Sequence, residues 1–456
     1  MVRALLTRDF MEDTPSPSGP PDRLIYGPED RLPLGTALLV SLQQVAAMVV
    51  GVITPALILA QALHFPAPDT AYLVSMALIA AGLGTFLQTS RFGPVGSGLL
   101  SVAGTSFAFL QPLIDSGSAG GLPLMFGMSL ACAPTLLIFA PFLPRLRRVF
   151  TPLVSGIVVL LIGLSIIPEA MPGIAAPVGA NAPVWAGAGI ALVVIAVVLL
   201  AQSIGGTRIR LSSILWGVIA GYVACALFGW LRRPEVVDGS WITLPRILPH
   251  GLAFQWRFVL PFAFIYVASL LEALGDMTAT CQLSGLETEG PAYSARLRGG
   301  VISDGITCVV SGIIGSFPST TYAQNNGVIQ ITGVASRHIG KWMAAILVLL
   351  GVFPAVARWV TAMPPAVLGG MAILLFGLVS VSGLRLIVLR GLSHRDGLIV
   401  ALSLGIGLGA ASQHAWVLSL HPLVQTFLGS SVSAGGITAL LLNIILPPAR
   451  DSAGAH

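Results

Sequence analysis

Charge is scarce in this sequence. Only 9% of its 456 residues are charged, 55% are hydrophobic, and the mean hydropathy is +0.90. That balance excludes an ordinary soluble domain, and hydrophobic runs follow one another too closely to leave room for a separate soluble catalytic module. Cysteine is also rare. Cys132, Cys225, Cys281 and Cys308 lie in apolar or near-apolar segments without Cys-x-x-Cys spacing, which argues against a zinc site or disulfide framework and for small packing residues. No His-Glu-x-x-His or Gly-x-Ser-x-Gly occurs, and Leu274-Gly275-Asp276 supplies only the Gly-Asp half of an aspartyl protease motif, so an enzyme is not expected, nor a cofactor or metal. The net charge of +5 would suit nucleic acid, but the basic residues are spread through short loops and no aromatic-basic patch appears. His64, His250, His338, His394, His414, His421 and His456 all fall in expected loops or ends, leaving no obvious histidine proton relay inside a membrane. Residues 1–32 are rich in Pro, Asp, Glu and Arg and lack an apolar h-region, which reads as a disordered cytoplasmic tail and not a cleavable signal peptide.

What the chain has in quantity is apolar sequence. Windows long enough to cross a bilayer run at roughly 34–62, 70–89, 94–114, 121–143, 148–168, 183–203, 212–231, 258–282, 297–315, 318–333, 340–361, 365–383, 397–413 and 432–447, about fourteen spans. The fold class expected is therefore an all-α polytopic membrane protein. An even count puts both ends on one side. Of the 23 basic residues, Arg232, Arg233, Arg246, Arg257 and Arg358 fall on one side and the other 18 share the side of the N-terminus, so the positive-inside rule makes both termini cytoplasmic, in a cell membrane.

Two spans are not uniformly apolar. The third, through Gly96-Ser97-Gly98 and Gly104-Thr105-Ser106-Phe107-Ala108, and the tenth, from Pro318-Ser319-Thr320-Thr321-Tyr322 onward, are interrupted by Gly, Ser, Thr and Pro. They lie seven spans apart. Broken segments at matching positions in two halves point to an inverted repeat whose half-helices meet at a midplane site. The domain layout expected is a tail at 1–33, a transporter membrane domain at 34–447 made of repeats 34–231 and 258–447, and a second tail at 448–456. The competing reading is two ordinary spans whose small residues serve helix packing.

Polar groups inside these spans are the candidates for chemistry. Glu272 and Asp276 stand four residues apart on one helix face, about 5–6 Å apart at Cβ. An ionised carboxylate at helix centre costs roughly 2.5–3.5 kcal/mol on an insertion scale, and burial and repulsion act against both being charged at once, which suits the pair to proton exchange. The alternative is acids satisfied by backbone N–H groups or a buried partner. Asp304, beside Gly305 and Thr307, is read either as support for the backbone of the broken tenth span or as a third proton-transfer group. The tenth span then brings Ala323-Gln324-Asn325-Asn326-Gly327 and runs to Thr332-Gly333. Asn, Gln and Thr at membrane depth are unfavourable unless they face protein, water or ligand. Gln324 carries a donor and an acceptor on one planar amide, a match for the edge of a purine or pyrimidine. Phe107 offers a face for stacking, or else simple packing.

Gln324-Asn325-Asn326-Gly327 with Thr332-Gly333 resembles the signature of the nucleobase-ascorbate transporter family, also called the nucleobase/cation symporter-2 family. Gly104-Thr105-Ser106-Phe107-Ala108 and Glu272-Ala273-Leu274-Gly275-Asp276 resemble its third-span and eighth-span motifs, so the likeness covers nearly the whole chain. The resemblance implies fourteen spans in a core (spans 1–4 and 8–11) and a gate (spans 5–7 and 12–14). It also implies short strands pairing in spans three and ten, and a homodimer joined through the gates. For the site it implies substrate contacts at Glu272, Gln324, Phe107 with Ser106 in the same motif, and the Ala323 backbone, with Asn325 orienting Gln324. Glu272, Asp276 and Asp304 become the proton-coupling acids.

The function expected is a proton-coupled symporter importing a nucleobase. Gln at 324, with the run from Asn326 to Arg337, resembles the xanthine and uric acid branch. An oxidised purine is therefore the leading substrate and uracil the runner-up. A passive channel is the alternative from another class, and counterflow discriminates between them, because only a carrier accelerates labelled uptake when preloaded. Three positions depart from the family pattern: Gln44 where His is common after Gln43, Ala103 where Gln is common, and Ser319 where Asn follows Pro318. Each bears on which substrate fits.

Overall fold

The computed structural model describes residues 24–447 except 144–150, 179–181, 205, 207–208, 211, 232–241, 323, 354, 356, 358, 360–361, 389–390, 414–415, 418, 421–423, 425–427 and 429. The chain is dominated by helices, as a backbone in lipid must satisfy its own hydrogen bonds. They are α1 (Leu34–Ala62), α2 (Ala67–Thr89), α3 (Leu110–Cys132), α4 (Pro134–Phe139), α5 (Pro152–Ala175), α6 (Ala186–Ser203) and α7 (Ser213–Leu227). The second half holds α8 (Val259–Leu283), α9 (Gly290–Ile314), α10 (Gln324–Thr332), α11 (Arg337–Val352), α12 (Pro365–Val388), α13 (His394–Ser412) and α14 (Ser431–Ile445). Among the described residues, eight helical segments are long and apolar enough to cross a membrane, and α7 and α14 are shorter apolar helices. The protein is a multi-pass membrane protein.

Helix packing falls into two groups. In one, α2 lies along α11, α1 along α11 and α2, and α9 against α2, α3 and α4. In the other, α5 lies along α12, α13 along α14, and α6 along α7 and α12. The α5–α12 seam depends on small residues. A Cβ on Gly156 would stand 2.8 Å from the Gly383 carbonyl oxygen, and one on Gly163 2.7 Å from that of Phe376, so the two backbones approach as closely as small-residue interfaces allow.

Both interrupted spans are broken as the composition requires, and their boundaries differ from the hydropathy windows. Residues 94–102 form no helix; Gly96 and Gly98 have φ of 92° and 67°, a region open to glycine at little cost. Next comes strand β1 (Ala103–Thr105), then a 3₁₀ turn (Phe107–Phe109) leading into α3. Helix α3 covers the expected gap between the third and fourth windows, and its backbone leaves helical geometry at Gly120 and Gly121, just before Pro123, at the start of the fourth window. In the tenth window, strand β2 (Ser319–Thr321) precedes α10. The strands pair antiparallel, Ala103 with Thr321, Gly104 with Thr320 and Thr105 with Ser319. Ser106 N donating to Pro318 O at 2.9 Å and Tyr322 N to Val102 O at 2.9 Å extend the ladder at both ends.

One expectation needs correction. The compositional reading placed residues 24–31 in a disordered tail, yet they form a strap along residues 333–337. Ile25 N donates to Gly333 O at 2.8 Å, Ala335 N to Tyr26 O at 2.9 Å and Arg337 N to Pro28 O at 3.0 Å. Glu29 accepts from Arg337 at 2.6 Å and Ser336 Oγ donates to Asp30 O at 2.5 Å. The physical reason is that the chain between α10 and α11 leaves backbone groups without helical partners, and the strap supplies them. A second strap, 242–253, crosses other helix ends through Thr243 N to Val352 O, Leu248 N to Ile313 O and Ala253 N to Pro123 O, each 2.8 Å.

Candidate functional site

Glu272, Asp276 and Thr280 follow one another along one face of α8 at the four-residue spacing that aligns helix side chains. Glu272 is half-buried and lies near the Tyr322 hydroxyl. Asp276 is half-buried too, with Glu272, Asp304 and the Thr321 hydroxyl as polar neighbours. Among the described residues, ion pairs form at Arg337–Glu29 and Arg395–Asp396, and no Lys or Arg pairs with Glu272, Asp276 or Asp304. The acids therefore face polar neutral groups and one another.

The strand pair sets the rest of the site against this face. Strands β1 and β2 each run into a helical segment, so the N–H ends of the turn before α3 and of α10 meet beside the ladder, a favourable place for negative charge and acceptors. Gln324 opens α10, exposed, and its side chain makes no hydrogen bond among the described residues. Asn325 turns inward, 1% exposed, and its amide donates to the Leu100 carbonyl in the unwound part of the third span. Asn326 reaches α8: its Oδ1 lies 2.6 Å from Thr280 Oγ1, and its Nδ2 donates to the Asp276 carbonyl at 3.2 Å. Ala323 lies outside the described residues.

Phe107 is 9% exposed, stacked on Tyr322 at 6.3 Å between ring centroids and edge-on to Phe376 at 5.5 Å. Part of its role is packing. Ser106 is buried, its N–H engaged by Pro318 and its hydroxyl without a partner among the described residues. Asp304 is 3% exposed and accepts from Gln88 Nε2 of α2 at 2.7 Å. Its hydrogen-bond partner is thus Gln88, and not the strand backbone that the sequence suggested; Cys308 makes that contact, its Sγ 3.2 Å from Ser319 O. Gln44 is fully buried in α1, with neither amide atom partnered among the described residues. Among those residues no three His, Cys, Asp or Glu side chains group to hold a metal.

Sequence reasoning gives no individual role to Tyr322 or Asn326 and does not single out Thr280. The Tyr322 hydroxyl lies 2.8 Å from Thr105 O and 3.0 Å from Gly51 O, bridging β1 and α1. A Cβ on Gly104 would stand 2.5 Å from the Tyr322 ring, so glycine there makes room for the tyrosine. The signal for Thr280 was available, since it continues the Glu272–Asp276 spacing by one further turn.

Comparison with known proteins fits this architecture. The sequence profile of the permease family matches residues 35–416. The xanthine permease XanP of Escherichia coli (strain K12) is 40% identical over 443 residues, covering 94% of this chain and 96% of its own length. The xanthine permease XanQ of the same strain is 41% identical over 437 residues, with 93% and 94% covered. A purine permease of Emericella nidulans is 32% identical over 483 residues, with 92% and 83% covered. Among solved structures, the transmembrane domain of a cyanobacterium bicarbonate transporter, BicA, superposes with a TM-score of 0.58 at 16% identity, covering 92% of this chain and 99% of that one. That likeness concerns the fold alone. With an uncharged hydrogen-bonding edge at a broken span and a family profile along most of its length, the chain belongs to the nucleobase-ascorbate transporter family and is a transporter, not an enzyme.

Proposed function

We propose that this transporter is a proton symporter importing a nucleobase, an oxidised purine such as xanthine or uric acid. The observation that carries the reading is the placement of Gln324 at the start of α10, beside an acid-bearing face of α8 that no Lys or Arg among the described residues neutralises. Gln324 offers a donor and an acceptor to a heterocycle edge, Glu272 accepts from ring N–H groups, and Phe107, Ser106 and the Ala323 backbone complete the proposed substrate contacts. Relatives named xanthine and purine permeases favour a purine over uracil. The two packing groups correspond to the core and gate of two inverted seven-span repeats, the protein pairs through its gates as a homodimer, and both termini are cytoplasmic.

In this scheme a proton from the outer side neutralises Glu272, lowering the cost of a carboxyl group in a dry site. Substrate N–H groups then compete for the same oxygens, and both proton and substrate leave on the inner side. Asp276 and Asp304 are the neighbouring acids through which the proton can pass. The test is accumulation of labelled xanthine in proteoliposomes with and without an inward pH gradient. Glu272→Gln keeps shape and hydrogen bonding but cannot titrate, so it abolishes accumulation while retaining binding. Accumulation at the parent level by Glu272→Gln under that gradient removes Glu272 as the coupling acid. Absence of counterflow would instead favour a channel.

A further inference from the structure

We propose that Thr280 and Asn326 are positioning residues that set the direction of Gln324, and through it which purine edge the transporter accepts. This rests on the reading that Gln324 and Glu272 contact the nucleobase. Helical residues project about 100° apart around the axis, so Gln324, Asn325 and Asn326 at the start of α10 point in three different directions. Two of the three are tied. Asn325 donates to the Leu100 carbonyl of the third span, and Asn326 is held by Thr280 Oγ1 at 2.6 Å and the Asp276 carbonyl at 3.2 Å on α8. Ties in two directions fix the rotation of this short helix, and Gln324 takes the third direction.

The tie to α8 is specific in chemistry. The Asp276 carbonyl can only accept, which settles that the amide nitrogen of Asn326 faces it and the amide oxygen faces the threonine hydroxyl. Thr280 Oγ1 also lies 2.8 Å from Asp276 O; its single proton serves one acceptor at a time, and donating it to Asn326 Oδ1 leaves the Asp276 carbonyl to the Asn326 amide nitrogen. A threonine that served only its own helix would donate to the carbonyl four residues back; here the amide oxygen of another span competes for that proton at the shorter distance. Thr280 stands two turns from Glu272 on the same face. The acid and the tether of Gln324 therefore share one rigid helix, and a shift of α10 relative to α8 changes the geometry between Gln324 and Glu272 directly.

The experiment uses purified full-length protein, binding of labelled xanthine, competition by uric acid, hypoxanthine and guanine, and thermal stability measured in parallel. Thr280→Val and Asn326→Leu each raise the apparent Kd by about three- to tenfold and change the order of the competitors. The double variant is no weaker than the weaker single, because both remove the same link, and Thr280→Ser restores the parent values. If Asn326→Leu does not survive extraction, Asn326→Asp replaces it, since it cannot donate to the Asp276 carbonyl, and the same rise is expected. A lower melting temperature with unchanged Kd and competitor order overturns the proposal, as does a double variant whose losses multiply. Gln324→Ala is run alongside. If it binds xanthine like the parent and the competitor order is unmoved, the site reading falls and the positioning role with it. If Gln324→Ala abolishes binding while the tether variants behave like the parent, only the positioning role falls.

Discussion

The two broken spans look alike in composition and do different work. The third offers mainly backbone: Leu100 O accepts from Asn325, Val102 O from Tyr322 N, and Thr105 O lies within reach of the Tyr322 hydroxyl. The tenth offers side chains, with Gln324, Asn325 and Asn326 in a row and Tyr322 just before them. One is a frame of acceptors shaped by glycine, and the other a set of amides and a phenol that fits into it. Substitutions in the third span should therefore act through space, and those in the tenth through individual hydrogen bonds.

Gly104→Ala tests the frame most severely. Its new Cβ would lie 2.5 Å from the Tyr322 ring, and that ring is hemmed in by Phe107 and by two carbonyls. Overpacking costs about 1–3 kcal/mol or more, and here it displaces a residue of the site. Xanthine uptake should be lost while protein still reaches the membrane, which uptake and immunoblotting of the same vesicles would check. Phe107→Ala comes next. It should weaken xanthine binding by about 1–3 kcal/mol if a ring stacks there; an unchanged Kd with a lowered melting temperature would leave Phe107 only its packing on Tyr322 and Phe376.

Tyr322→Phe keeps the ring and removes only the hydroxyl. It should cost about 0.5–1.5 kcal/mol in stability, with a modest rise in Kd, readable by thermal unfolding with and without xanthine. A loss as large as that of Gly104→Ala would show that the tenth span also acts through space. The smallest effect belongs to the strap beyond the tenth span. Glu29 is 62% exposed where it meets Arg337, so Glu29→Gln should change stability by about 0–1 kcal/mol, and the difference should vanish between about 0.1 and 1 M salt. Its backbone bonds, which the substitution leaves intact, hold the strap.

Much of this was readable in advance, for a local reason. A helix in lipid closes its own hydrogen bonds, so apolar windows found α1, α2, α8, α9 and α12 from their own residues. A break in that pattern is local as well, and the Gly, Ser, Thr and Pro of residues 94–106 and 318–322 marked both breaks. The hydropathy windows broke between 114 and 121, where Gly120 and Gly121 do bend the backbone, but they could not tell a kink from a loop, because α3 holds helix on both sides of it.

What the sequence by itself determined, then, was a multi-pass helical protein, its two interrupted segments, and an acid pair at helical spacing beside a run of amides. Tertiary structure decided who answers each unsatisfied group. It paired Ala103–Thr105 with Ser319–Thr321, set the Tyr322 hydroxyl against Thr105, 217 positions away, gave Asp304 to Gln88, and laid residues 24–31 on the chain after α10. A broken span announces in its own residues that partners are needed, since buried backbone groups cannot stay unpaired. Which partners arrive depends on what packs beside it, and that is settled by segments hundreds of residues away.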